Sequence, residues 1–255
     1  MMTVEHQSSW IRTDAERLAD IGARSGAASV PACPDWVVAD LVSHTGWVHR
    51  WMRYMVCLPE GEGPSRETSM AAGLPKVGSA QHPDGDLVVW FREGLDQLLQ
   101  AFADVSPTKT VSSLFGTHTP SLIIRRMVHE TAIHRRDAED AIGQPSGFDT
   151  ELAADGIDEL LDLWIPMRFP HKDFGATGQT IALAPTDRES AWSITVQPER
   201  TVWQRSDVVP AKTDVIARGT ASDLYLFVWN RLAVAQLEVS GNADLLARWQ
   251  AAATV

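Results

Sequence analysis

Two cysteines in 255 residues, Cys33 and Cys57, are too few for a disulfide framework, and they form no CxxC metal or redox pair. No apolar run is long enough to span a bilayer. The opening MMTVEHQSSW lacks a basic stretch followed by an apolar one, so no signal peptide is expected, and a reducing cytoplasm fits. Positive charge is scarce: 22 Lys and Arg face 33 Asp and Glu, a formal net charge of -11. That balance argues against nucleic acid as a partner, because such binding relies on cations at phosphates, and equally against an anionic membrane surface. No internal repeat and no low-complexity tract is visible.

What is present is ordinary globular composition, 44% hydrophobic and 22% charged, in a length that suits one large domain or two modest ones. Up to about residue 168 the apolar spacing is helical. The first helix is expected over Glu5–Arg24. The loop SGAASVPACPDW follows, and Asp35 is the expected N-cap of a second helix, Trp36–Cys57. Its stripe is Val37, Leu41, Val48 and Trp51, with His44 in the middle and His49 off it. Residues 58–83 read as a long turn-rich connection of the kind that is often functional. A third helix, Asp84–Val105, and a fourth, Ser121–Ile142 closed by Gly143 and Pro145, flank the connection SPTKTVSSLFGTHTP. Four amphipathic helices of this length predict an up-and-down four-helix bundle, with a fifth helix, Thr150–Arg168, leading out of it.

After residue 170 the texture changes. QTIALAPTD, SAWSITVQP and TVWQRSDVV are short β-branched and aromatic runs split by Pro and Asp. DVIARGTASDLYLFVWNRL reads as strand, turn and helix, with Ser222 or Asp223 near the helix start; AQLEVSG is a strand and NADLLARWQAAA a closing helix. The expected fold class is therefore mixed: a helical domain over 1–168 and a small α+β domain over 169–255.

The stretch with most chemistry is RRMVHETAIHRRDAE, residues 125–139. It is not the HExxH zinc motif, because the spacing is HExxxH. His129 and His134 stand roughly 140° apart around a helix, whereas Glu130 and His134 differ by about 40° and share a face. A third ligand must come from another helix, and His44 lies on the apolar stripe of the second. A His, Glu, His set with an open fourth position is the pattern of catalytic zinc. Asp40 and Asp137, one turn away, are candidates to orient the imidazoles. The same residues also fit a plainer reading, with His44 a core histidine, Glu130 and His134 an i,i+4 surface pair, and Arg126 and Arg135 paired with Glu130 or Glu139 on a solvated face. Spacing alone leaves both open.

PACPDWVVADLVSHTGWVHRW carries a Cys-Pro-x-Trp turn leading into a helix that reads Asp-Leu-Val-x-His, and RRMVHETAIHRRDAEDAIG reads His-Glu-x-x-x-His-Arg-x-Asp-Ala-Glu. GTASDLYLFVWNRL is followed by LEVSGNADLLARW. In this order and over nearly the whole chain, these segments resemble the mycothiol-dependent maleylpyruvate isomerase family. The resemblance implies a DinB-like N-terminal bundle and a C-terminal domain like the sterol carrier proteins. It implies metal ligands at His44, Glu130 and His134, and an active-site arginine best matched by Arg231, which otherwise reads as a helix-end arginine facing solvent. Cys33, in the Cys-Pro turn, reads as a buried structural thiol.

The implied cosubstrate is mycothiol, the low-molecular-weight thiol of actinobacteria. A free thiol has a pKa of about 8.5, and coordination to a divalent metal such as zinc deprotonates it. The resemblance implies thiol addition to a small electrophilic organic acid, ending in cis–trans isomerisation or in S-transfer, with Arg231 on a substrate carboxylate. The partners expected are a small-molecule substrate and the thiol, with the chain a monomer or weak homodimer. A hydrolase using zinc-bound water at the same ligands, and a non-catalytic binding protein, are the alternatives. His and Glu ligands also suit nickel, cobalt or iron.

Overall fold

A computed structural model of the chain describes residues 3–113, 116–169, 174 and 178–253. It is a mixed helix and sheet structure that divides into two compact units, Met1–Ser146 and Gly147–Val255. Among the described residues no helix is long and apolar enough to cross a membrane.

The first unit is built on four long helices: α1 (Val4–Ser25), α2 (Val38–Cys57), α4 (Leu87–Asp104) and α5 (Pro120–Ala141). α1 packs along α5 and α4, and α2 along α4 and α5. Each starts where a local signal stops the preceding loop. Thr3 accepts from His6 N–H at the head of α1, Asp86 accepts from Val88 and Val89 at the head of α4, and Pro120 opens α5, where its missing N–H costs nothing. α2 departs from expectation. It begins at Val38, and the carboxylate that secures its first turn is Asp40, whose Oδ2 accepts from Val37 N–H at 2.9 Å, not Asp35.

The segment 58–83 contains a short helix, α3 (Arg66–Ala71), and is strapped to α2 by side chains of that helix. Ser43 and Trp47 both donate to Gln81 O at 2.6 Å, Trp51 donates to Pro75 O at 3.0 Å, and His82 pairs with Asp40. The connection before α5 holds a small antiparallel hairpin, β1 (Val111–Ser113) and β2 (Gly116–His118), which the sequence pattern did not predict. Leu114 and Phe115 of that connection lie outside the described residues.

α2 is covered on more than one stripe: Leu41, Val42, Thr45, Val48, His49 and Met52 are all buried. His49, expected off the buried face, is in fact 0% exposed, with Nε2 2.9 Å from Thr131 Oγ1 and its ring 5.5 Å from that of Phe91. Burial pushes its pKa down to about 3, aided by the nearby Arg50, His134 and His44 and opposed by Glu130. The linkage has a definite sign. Above pH 6.5 neither state binds the proton; below it the unfolded chain does and the folded chain does not. Stability is therefore lost as pH falls from 6.5 towards 3, at about 1.4 kcal/mol per pH unit, or about 2 kcal/mol by pH 5. Urea midpoints at pH 7.5 and 5 are expected to fall further apart for the wild type than for His49→Gln. Equal declines would count against it.

The second unit opens with the expected helix over Thr150–Arg168, but in three pieces: α6 (Thr150–Glu159), a π turn (Leu160–Trp164) and α7 (Ile165–Arg168). Pro166 gives the reason. It has no N–H, and its ring would collide with the carbonyl four residues back, so the helix widens just before it, with Ile165 N–H bonded to Leu160 O. α6 packs on α8 (Ala221–Val228), inside the second unit, so the units part at residue 146 and not at the expected 168.

The sheet has strands β3 (Gln179–Pro185), β4 (Ala191–Val196), β5 (Thr201–Ser206), β6 (Val215–Gly219) and β7 (Glu238–Gly241), in the order β5-β4-β3-β6-β7. Among the described strands of this sheet only the β3–β6 pairing is parallel. The central strand β3 is buried on both faces over Ile181–Pro185, which is why it reads as an unbroken apolar run, whereas the edge strand β5 is largely exposed. Gly241, with φ 97°, lets the chain pass against the backbone of Asp214, where a Cβ would collide. Thr220 and Asp223 cap α8 reciprocally, and α9 (Ala243–Ala252) packs on β6.

Candidate metal centre

α2 and α5 lie side by side and bring three side chains together. His44 comes from the second turn of α2, and Glu130 and His134 from one face of α5; one ligand atom of each lies within 4.8 Å of the others. Glu130 Oε1 is 3.2 Å from His44 Nε2 and 3.3 Å from His134 Nε2. The side chains are 13%, 15% and 10% exposed for His44, Glu130 and His134, so the cluster is shielded from bulk water yet not sealed from it.

The remaining atoms of this cluster are held from behind. Glu130 Oε2 accepts from Arg126 Nη2 at 2.5 Å, and Arg126 is 3% exposed, so this pair does not lie on a solvated face. Burial alone would raise the Glu130 pKa, but its bonds to His134 and His44 and the Arg126 charge outweigh that and hold it well below the ordinary carboxylate range. His134 Nδ1 is 3.2 Å from Oδ2 of the fully buried Asp137. Burial opposes a charge on His134, but the bonds to Asp137 and Glu130 prevail and raise its pKa to about 9. Two carboxylates, those of Glu130 and Asp137, thus face the His134 imidazole from its two nitrogens.

Tetrahedral zinc with nitrogen and oxygen ligands at about 2.0–2.1 Å needs donor atoms about 3.3 Å apart. The two spacings at Glu130 Oε1 match that edge. The donor set is also right: the Asp137 carboxylate, which can only accept, faces His134 Nδ1 and leaves Nε2 to face the other donors, and Arg126 occupies the carboxylate oxygen that faces away.

Other expected roles fall differently. Asp40 does not orient His44: it bonds Val37 N–H and His82, and His44 Nδ1 is buried with no partner among the described residues. His129 is fully buried and lies outside the cluster. Arg135 is buried too, bonded to Asp14, Glu139 and Ser146. Arg231, expected within a helix, lies beyond the end of α8, after Asn230 at φ 59°, with Nη1 donating to Trp229 O at 2.9 Å. Cys33 is half-buried, and its backbone closes the turn through Val30 O and Trp36 N–H. The sequence reading missed two neighbours: Trp36, whose ring centroid is 5.0 Å from that of His44, and the Asp40–His82 pair. The Cys-Pro-x-Trp turn was the available signal for Trp36; nothing local marks His82, which is 42 residues from its partner.

A helical unit with a partly buried His/Glu/His cluster, followed by an α+β unit, defines a class of two-domain chain. Residues 9–139 match the mycothiol maleylpyruvate isomerase N-terminal domain and residues 151–248 match the C-terminal domain of the same proteins. The chain belongs to the mycothiol-dependent maleylpyruvate isomerase family. Among solved structures it is similar to that of a mycothiol-dependent maleylpyruvate isomerase (TM-score 0.58) and to that of its histidine-to-alanine mutant (TM-score 0.57). Each is 14% identical, over 94% of this chain and 93% of the other, a likeness of fold. No curated protein matches the sequence.

Proposed function

We propose that the chain is a mycothiol-dependent metalloenzyme acting on a small electrophilic organic acid, by cis–trans isomerisation or by S-transfer. In this reading the helices of the first unit form a DinB-like four-helix bundle, and His44, Glu130 and His134 hold a divalent cation, zinc by donor type. The observation that carries it is the convergence of three donor atoms within 4.8 Å of one another, with both Glu130–histidine spacings at the tetrahedral edge and the spare atoms of Glu130 and His134 already engaged.

When bound, the cation supplies a Lewis acid that keeps a thiol deprotonated at neutral pH. The chain's own residues do the rest. Asp137 fixes the His134 tautomer, and Arg126 fixes the rotamer of Glu130. Two neutral imidazoles and one carboxylate leave a net positive centre, which favours an anionic fourth ligand. Arg231 in the second unit is the residue assigned to a substrate carboxylate, which a guanidinium can grip through two hydrogen bonds. A wild-type preparation is expected to hold about one divalent cation per chain by elemental analysis, and to bind mycothiol only while loaded. Protein that holds no metal after incubation with zinc ends this reading. Turnover of an ester or amide with no thiol added would turn it to a metal-dependent hydrolase.

A further inference from the structure

The three donors of the cluster are not held alike. Glu130 is fixed by the Arg126 guanidinium on Oε2, and His134 by the Asp137 carboxylate at Nδ1. His44 has no such support: its Nδ1 is buried and meets no hydrogen-bond partner among the described residues. A histidine ring turns about two single bonds, and its outer torsion has broad wells, so a free imidazole points its lone pair over a wide range of directions. A metal ligand needs that direction fixed.

Two rings pack against His44. The His134 imidazole stands at 5.1 Å and 85°, but it is itself one of the donors. The other is the half-buried Trp36 indole, centroid to centroid 5.0 Å and tilted by 51°. Trp36 is held by backbone bonds that do not involve its ring. Its N–H donates to Cys33 O at 2.8 Å, and its carbonyl accepts from Val30 N–H at 3.0 Å. Beyond it, Ser29 bridges Val37, and Val38 N–H donates to Ala28 O at 2.9 Å. Val30 and Val38 are buried, which anchors the turn on both sides. We propose that Trp36 is the positioning residue of His44: its indole, by ring packing, does for this ligand what Asp137 does for His134, and so sets how tightly the site holds its cation. This rests on the metal reading above and adds a residue that acts through His44 alone. An aromatic pair is worth a factor of about two to twelve in an equilibrium constant, less than the roughly 10–100-fold of a hydrogen-bonded support. The test therefore reads two quantities.

Zinc affinity at one pH, by competition with a chelating dye, is expected to fall about three- to tenfold in Trp36→Ala and to return to within about twofold of wild type in Trp36→Phe. The visible spectrum of the cobalt(II)-loaded proteins reports the ligands directly. The Trp36→Ala band should weaken and shift as His44 loosens, and the Trp36→Phe band should match the wild type. Trp36→Leu, apolar but without a flat face, is expected to behave like Trp36→Ala and replaces it if that variant folds poorly. Affinity that falls while the cobalt band stays at its wild-type position and strength means a general loosening of the turn, and overturns the assignment. So does affinity unchanged or tighter in Trp36→Ala, because water admitted to Nδ1 would then orient the ring as well as the indole does. Either result leaves the metal reading standing. A wild type that takes up neither zinc nor cobalt ends both.

Discussion

Glu130→Gln is expected to empty the cation site and to weaken the first unit at the same time. The carboxylate stands at the centre of three groups: Oε1 faces both histidine Nε2 atoms, and Oε2 takes the Arg126 guanidinium. Gln keeps the shape and loses the charge. With it goes the only anionic donor of the cluster, so the loss should exceed the roughly 10–100-fold typical of groups that merely support a ligand, at least about 1,000-fold. The comparison belongs at pH 9, because His134 releases its own proton at about 9 and the substitution also relieves that competition at lower pH. Stability falls for a separate reason. Arg126 is 4% exposed at its side chain, and removing one member of a buried ion pair costs about 3–5 kcal/mol. The amide oxygen of Gln still accepts a neutral hydrogen bond, which places the cost near the lower end, about 3 kcal/mol. Competition with a zinc-chelating dye reads the first effect and urea unfolding of metal-free protein the second. Affinity within threefold of wild type would remove Glu130 from the ligand set.

The part of this centre visible in the sequence was the part governed by helical period. Four residues separate Glu130 from His134, and on any α-helix that spacing puts them on one face. His44 could be chosen because its neighbours Leu41 and Val48 are core residues, and both are buried. What failed was the assumption of one apolar stripe per helix. α2 and α5 are covered on most sides, so His49, Arg126 and Arg135, which look like surface residues in a periodic reading, are buried among polar partners. Those partners lie 82 residues away for His49 and 121 for Arg135, beyond any local pattern. The same limit explains Asp40. One helical turn made it a candidate for His44, but the strap brings His82 to it and the backbone of Val37 takes its other oxygen. In the second unit the strands were legible because β-branched runs ended at Pro, Asp and Gly. The π turn was legible in principle, since Pro166 sits inside the expected helix. The division of the chain at residue 146 was not, because it depends on which helix α6 packs against and not on the composition of the linker.

Asp137→Asn should reveal how the protein sets the protonation of its own ligand. Asp137 is fully buried and faces His134 Nδ1 at 3.2 Å. As a carboxylate it can only accept, so the Nδ1 proton is fixed and Nε2 is directed to the cation. Asn can turn its amide and donate instead, which would move the ring proton to Nε2 and block coordination. Intrinsic zinc affinity is therefore expected to fall about 10–100-fold. The pH profile separates this from a packing defect. In the wild type His134 carries a proton below about pH 9, so proton and metal compete, and apparent affinity rises about tenfold per pH unit up to that point. Removing the Asp137 charge lets the His134 pKa fall back towards the ordinary histidine range, and the competition ends at lower pH. The deficit of Asp137→Asn should thus be fullest at pH 9 and shrink steadily towards pH 7, where the variant is spared a proton that the wild type must expel. A loose or distorted site would lose the same factor at every pH. Zinc titrations in metal-buffered solution at pH 7, 8 and 9 distinguish the two, and a constant deficit would mean that Asp137 supports the helix and not the tautomer.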